Sequence, residues 1–223
     1  MIYLASASPR RHEILRQMGV AHRVLDVPAP PGEDEPRLPG EAPQAYVRRT
    51  AREKALRALH WLGLPGHEGH PAWPRSGQPW PPCPVLAADT TVILGDDILG
   101  KPVDAADAAR MLRRLSGREH EVHTAVVLAL PGDASDGETG PGAAACPSPL
   151  REDVSITRVR FAPLSEDDIA AYCATGQAMG KAGAYGIQGA AAVFVEHLAG
   201  SHSGVVGLPI FETHRLLRRA GLA

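Results

Sequence analysis

An acid inside an apolar strand constrains this chain more than any other feature. Val85 to Leu94 is apolar and β-branched enough to be a buried strand, and Asp89 stands in its middle. An ionised carboxylate there is costly unless a charge or a metal pairs with it. Gly95-Asp96-Asp97 signals a turn, and Ile98-Leu99 leads back to Gly100-Lys101-Pro102. A hairpin folded at that turn returns Lys101 toward the end of the structure that holds Asp89. Taken alone, the segment fits either a site or an acid capping a loop beside a surface lysine.

The remaining charge narrows the choice. The net charge is -2, so the chain is no strongly basic nucleic-acid binder, and aromatics make up only 4% of it. Arg10, Arg11, Arg48, Arg49, Arg52 and Lys54 nevertheless concentrate basic charge before residue 60. Of 23 basic residues only Lys54, Lys101 and Lys181 are lysine, which suggests positions where a compact ammonium is needed. The opening Met1-Ile2-Tyr3-Leu4 runs directly into polar residues, and no stretch approaches the roughly 20 apolar residues of a membrane span. Cys83, Cys146 and Cys173 are widely spaced and in no metal-ligand pattern, so reduced thiols in a cytoplasm are expected.

Strands and helices alternate along the chain, which makes the class α/β. Ile2 to Ala5 reads as a strand, followed by a Ser-rich turn in which Ser8 caps a helix from Pro9 to Met18 that Gly19 ends. Unpaired backbone N–H groups at such a helix start bind anions. Arg10 and Arg11 oppose the helix dipole there and make most sense with an anion between them, solvation being the alternative. His22 to Val27 reads as a strand and Pro28 to Pro39 as a loop, with Glu33-Asp34-Glu35 either solvated or ligating. On a helix from Ala42 to Leu62, Val47, Ala51, Lys54 and Ala58 share one stripe, so Lys54 lies on the apolar face and is expected to reach into a cleft.

Residues 63–83 form a Pro/Gly/His-rich loop insertion whose His67 and His70 do not follow the helical zinc pattern. Asp104 caps the next helix, and Gly117 ends it. Strands are expected over Glu121–Leu130 and Asp153–Phe161, with a second loop insertion at 131–150 between them. Ser165 opens a helix to Thr175. The Gly-dense stretch 180–189 around Lys181 and Gln188 suits backbone that approaches a ligand closely or a plain surface turn. Ala191–Leu198 reads as a strand, His202–Val206 as its return, and a terminal helix follows Leu208-Pro209.

Seven blocks carry a resemblance: LASASPRR at 4–11, DEPRLPGE at 34–41, AREKA at 51–55, AADTTVILGDDILGKP at 87–102, MLRRLSG at 111–117, KAGAYGIQG at 181–189 and VVGLPIFET at 205–213. In this order they are similar to the Maf-like nucleoside triphosphate pyrophosphatases, a family first associated with septum formation. The resemblance implies one domain over 1–223, two-lobed and α/β, with a long mixed sheet and a cleft between the lobes. It implies cleavage of the α–β phosphoanhydride of a nucleotide with Mg²⁺ or Mn²⁺. Residue by residue it assigns substrate binding to Ser6, Arg10 and Arg11, catalysis to Lys54, Lys101 and the proton acceptor Asp89, and metal binding to Glu35 and Asp89. In the dTTP/UTP branch, which the IQG at 187–189 resembles most, Arg10, Thr90 and Gln188 set specificity. Gly180 departs from the Asp common before the lysine, and Lys181 stays outside the catalytic set. The implied partner is a nucleoside triphosphate, with no nucleic acid and no membrane, in a monomer or a homodimer. Modified or purine nucleotides, or a nucleotide-binding regulator of division without turnover, are the alternatives.

Overall fold

The computed structural model describes residues 1–28, 35–63, 83–130 and 149–223. The readings of Glu33, Asp34, His67, His70 and Cys146 lie outside the described residues. The chain runs β1 (Ile2–Ala5), α1 (Pro9–Gln17), β2 (His22–Leu25), α2 (Pro43–Leu62), β3 (Val85–Leu94), β4 (Asp97–Leu99), α3 (Ala105–Leu115), β5 (Glu119–Ala129), β6 (Leu150–Phe161), α4 (Glu166–Ala174), β7 (Val195–Ala199), α5 (His202–Val206) and α6 (Ile210–Arg219). The strands form one mixed sheet in the order β2-β1-β3-β5-β6-β7, with β4 paired to β3. β1 lies parallel to both β2 and β3, whereas the remaining pairs are antiparallel.

The sheet is buried on both faces because successive side chains of a strand point to opposite sides. Leu86, Ala88 and Val92 of β3 join one core with residues of α1, α3, α4 and α6. Val85 and Ala87 join a second core with Val47, Ala51, Ala55 and Ala58 of α2. The small alanines on α2 let that helix lie close over β3 and β5.

The strand partners of β3 leave a gap that locates the site. β1 covers β3 only at Val85 and Leu86, and β4 covers it from Val92 to Leu94. Between them, no strand of the described residues covers that edge of β3. The chain leaves β1 at Ala5 beside this gap, and in α/β sheets ligands collect where parallel strands end and neighbouring connections diverge.

Several boundaries differ from the sequence reading. β5 and β6 start earlier than expected, at Glu119 and Leu150. Ser8 occupies the N-cap of α1, but its side chain makes no capping hydrogen bond. Ala191–Leu198 is not one strand. Ala190–Phe194 is a 3₁₀ helix and only Val195–Ala199 is strand. Ala191 and Phe194, three apart, are buried while Val193 is 81% exposed, the pattern of a three-residue turn and not of alternation. His202–Val206 is a short helix, α5, because the Ser201 hydroxyl accepts the Gly204 N–H at 3.0 Å and caps it.

Helix α2 is tied to β6 at Glu152, whose carboxylate accepts from Arg52 Nη2 at 2.7 Å and from Arg48 Nη1 at 2.7 Å. The hydrogen bond from Arg52, helped by Arg48, holds the Glu152 carboxyl below its ordinary range despite partial burial. A lowered folded-state value means the stabilisation is present above the ordinary carboxylate range and is lost as pH falls through the folded value. Glu152→Gln is expected to lower stability at neutral pH by about 1 kcal/mol, or about 2–4 °C in Tm. Thermal melts of both proteins across acid pH check this, because the gap closes as pH falls below the ordinary carboxylate range and through the lowered value of Glu152.

Candidate active site

Asp89 is 5% exposed, and its surroundings explain why it can stay charged. One carboxylate oxygen, Oδ1, accepts from Lys54 Nζ at 2.7 Å. The other, Oδ2, accepts from the Thr50 hydroxyl at 2.8 Å and from the Thr91 hydroxyl at 3.4 Å. Burial alone would raise this carboxyl. The Lys54 ammonium, with Arg11 and the Thr50 hydroxyl, outweighs burial and holds it below the ordinary range. Asp89 is therefore an ionised group at neutral pH.

Strand and helix periodicity build this arrangement. Alternation along β3 turns Asp89 toward the α2 side, with Val85 and Ala87. On α2, Thr50 and Lys54 are four residues apart and so stack on one face, each reaching the same carboxylate. Lys54 also makes an ion pair with Glu35. Glu35 is held there by its own chain: Tyr46 Oη donates to its backbone carbonyl at 3.1 Å, and Arg49 Nη2 donates to the carbonyl of Pro36 at 2.9 Å.

Thr90, next along β3, faces the opposite side and meets Arg11. The Arg11 guanidinium donates through Nε to the Gly207 carbonyl at 2.8 Å and through Nη1 to Ser6 Oγ at 3.1 Å. Its Nη2 donates to Thr90 Oγ1 at 3.4 Å. Burial pushes this guanidinium down, which the Asp89 and Glu35 charges oppose. Ser6 Oγ also accepts the Ser8 N–H at 3.2 Å, so it shapes the turn at the start of α1. Among the described residues three of the five N–H groups of Arg11 have partners, which leaves two for a ligand.

The Gly-rich stretch forms the facing wall. Tyr185 anchors it, with its hydroxyl 2.9 Å from His120 Nε2 in the core. Burial pushes His120 down to about 4, so it is a neutral partner. Gly183, at φ +66, packs so closely that a Cβ would stand 2.9 Å from Val92 Cγ1. Gly186 lies under two cations: a Cβ there would meet Lys181 Cδ at 2.9 Å and Arg10 Nη1 at 3.3 Å. Lys181 donates to the Gln177 carbonyl, and burial, then the nearby Arg10, push its ammonium down.

Ser6, Arg10, Arg11, Glu35, Lys54, Asp89, Thr90, Lys101 and Gln188 all line one cavity of about 830 Å³. Lys101 and Gln188 are exposed at its wall. Asp26, Arg57 and Lys181 line it too, although the sequence reading did not assign them a role. Thr50 was also missed, and its spacing of four from Lys54 on the apolar stripe was the available signal.

Among the described residues, six cations against three carboxylates line the cavity, which suits a polyanion. Glu35 and Asp89 converge on a single ammonium. Among the described residues no three His, Cys, Asp or Glu side chains cluster. Two hard oxygen donors suit Mg²⁺ or Mn²⁺, since Mg²⁺ keeps waters and takes one or two carboxylates beside phosphate oxygens.

If Thr50 aims the Asp89 carboxylate, Thr50→Val should lower kcat about tenfold with KM little changed, and Thr50→Ser should restore it. Steady-state kinetics on the three proteins measure this, and an unchanged kcat in Thr50→Val would remove Thr50 from the site.

A dTTP/UTP pyrophosphatase of Bordetella parapertussis is 55% identical over 222 residues, covering 100% of this chain and 93% of that protein. Proteins of the same name from Burkholderia pseudomallei and Ralstonia nicotianae are 48% and 46% identical, covering 100% and 99% of this chain and 94% of each relative. The family described as Maf-like protein matches residues 1–220, and the chain belongs to that family.

Proposed function

We propose that the protein hydrolyses the α–β phosphoanhydride of dTTP and UTP to the monophosphate and pyrophosphate. The observation that carries this reading is the buried Asp89, ion-paired with Lys54 at the wall of a cavity lined by cations. The names of relatives that align over essentially the whole chain point to the same substrates.

Each residue has a definable task. Asp89 takes a proton from the water that attacks the α-phosphorus. The new P–O bond forms as the bridging P–O bond breaks, and pyrophosphate departs with the electron pair. Charge builds on that leaving group, and Arg10, Arg11, Lys54 and Lys101 offset it. Glu35 and Asp89 would hold Mg²⁺ or Mn²⁺, which when bound neutralises phosphate charge. Ser6 supports the task indirectly, by orienting Arg11. Thr90 and Gln188 face the base, where the amide of Gln188 offers a donor and an acceptor to a pyrimidine. Among the described residues no helix is long and apolar enough to cross a membrane. Cys83 and Cys173 are free thiols, which suits a cytoplasmic enzyme.

A nucleotide panel tests the proposal. Pure protein with Mg²⁺ or Mn²⁺ should release pyrophosphate from dTTP and UTP well above dCTP, dATP and dGTP, and Asp89→Asn should release essentially none. Release chiefly from purine nucleotides would overturn the substrate assignment, and near-normal activity of Asp89→Asn would overturn the mechanism.

A further inference from the structure

The hydroxyl of Thr90 is the end of a hydrogen-bond relay whose direction can be read from donor and acceptor chemistry alone. Across the sheet Thr90 is paired with Thr124 of β5, which is fully buried. The Thr124 hydroxyl lies 2.8 Å from the Gly204 carbonyl oxygen of α5. A carbonyl only accepts, so the single proton of Thr124 is committed to it. Thr90 Oγ1 lies 3.0 Å from Thr124 Oγ1, and with the Thr124 proton already used, Thr90 must be the donor in that contact. From the other side Arg11, which has donors and no acceptor, points Nη2 at Thr90 Oγ1 from 3.4 Å. Both neighbours impose the same polarity. The Thr90 proton is directed into the sheet, and what its oxygen has left to offer the cavity is acceptance.

We propose that Thr124 is a positioning residue for base selection: by committing the Thr90 proton, it leaves Thr90 a pure acceptor toward the cavity, a polarity that suits the N3–H of uracil or thymine and opposes the N3 lone pair of cytosine. This rests on the reading of Thr90 as a base-facing residue given above. A free hydroxyl would serve either base by rotating about its Cβ–Oγ bond. A committed hydroxyl discriminates, because a buried acceptor set against an acceptor leaves both unpaired. Gln188 alone lacks that power, since an amide that turns over presents its N–H₂ or its carbonyl with equal ease. The polarity has to be set by a group with no such choice, and Thr124 is one. Uracil and thymine share N3–H, so the relay selects both together, and it is silent about the 5-methyl group.

The test compares Thr124→Val, Thr124→Ser and Thr90→Val with the unaltered protein. Valine matches threonine in shape, and the Gly204 carbonyl keeps a second donor in the Gly207 N–H at 3.0 Å, so Thr124→Val is expected to fold. Selectivity is read twice, as kcat/KM for dTTP over dCTP and as Kd for dTMP against dCMP, so that binding without turnover still decides. Thr124→Val should lower the selectivity about tenfold. The change should come chiefly from better acceptance of the cytosine nucleotide, because Thr90 is then free to donate. Thr124→Ser keeps the relay and should keep the selectivity.

A selectivity unchanged in Thr124→Val but altered in Thr90→Val would overturn the proposal while leaving Thr90 at the base. No change in either variant would overturn the base-facing reading and the proposal with it. Equal loss on both nucleotides in Thr124→Val would assign Thr124 a structural role and also overturn the proposal.

Discussion

The ion pair between Lys54 and Asp89 is the interaction on which the rest of the site depends. A carboxylate at 5% exposure inside a β-strand is tenable only with a counter-charge and hydrogen bonds to both oxygens. Lys54 supplies the charge from the apolar stripe of α2, and Thr50, one turn earlier, supplies a hydrogen bond to the second oxygen. Because the same ammonium also meets Glu35, a single lysine draws together the strand, the helix and the end of the loop that precedes it. Removing it would leave the buried Asp89 carboxylate without its ion-pair partner, which is why a lysine can stand among Val47, Ala51 and Ala58.

Topology then makes this pair accessible. β3 loses the cover of β1 after Leu86 and gains that of β4 only at Val92, so Asp89 and Thr90 sit at an open stretch of edge. Alternation places them on opposite faces of the sheet. On one face Asp89 meets Lys54 and Thr50 of α2, whereas on the other Thr90 meets Arg11 and Thr124, which is tied to α5. The Gly-rich segment closes the far wall, and it can come this near only because Gly183 has no Cβ to strike Val92.

Much of this was legible from residue order. A charge inside an apolar strand and a lysine on an apolar helical stripe are both visible, because burying a charge is costly and periodicity shows which faces are buried. The start of α1 followed from Pro9 although the Ser8 side chain makes no capping bond, and the β3–β4 hairpin and the Ser165 cap followed from local turn and capping chemistry. Within Ala190 to Val206 the expected strand was right only over its second half, at Val195–Ala199, and the segments on either side were misread. The apolar run looked like a strand from its start, but the Gln177 side chain accepts the Ala190 N–H at 3.0 Å and turns the chain into a 3₁₀ helix. That partner is thirteen residues away and leaves no local trace. Thr124 was silent for the same reason, since the carbonyl that commits its proton is eighty residues distant. Ser201 was a legible cap for α5, with Gly207 as its stop, and was passed over.

A double-mutant cycle on unfolding free energy tests the dependence on the buried pair most directly. Lys54→Met should cost about 3 kcal/mol, because it strands the Asp89 charge. Lys54→Met combined with Asp89→Asn should regain a large part of that loss, since no buried charge is then left unpaired. Strictly additive losses, with the double variant less stable than Lys54→Met alone, would contradict the account.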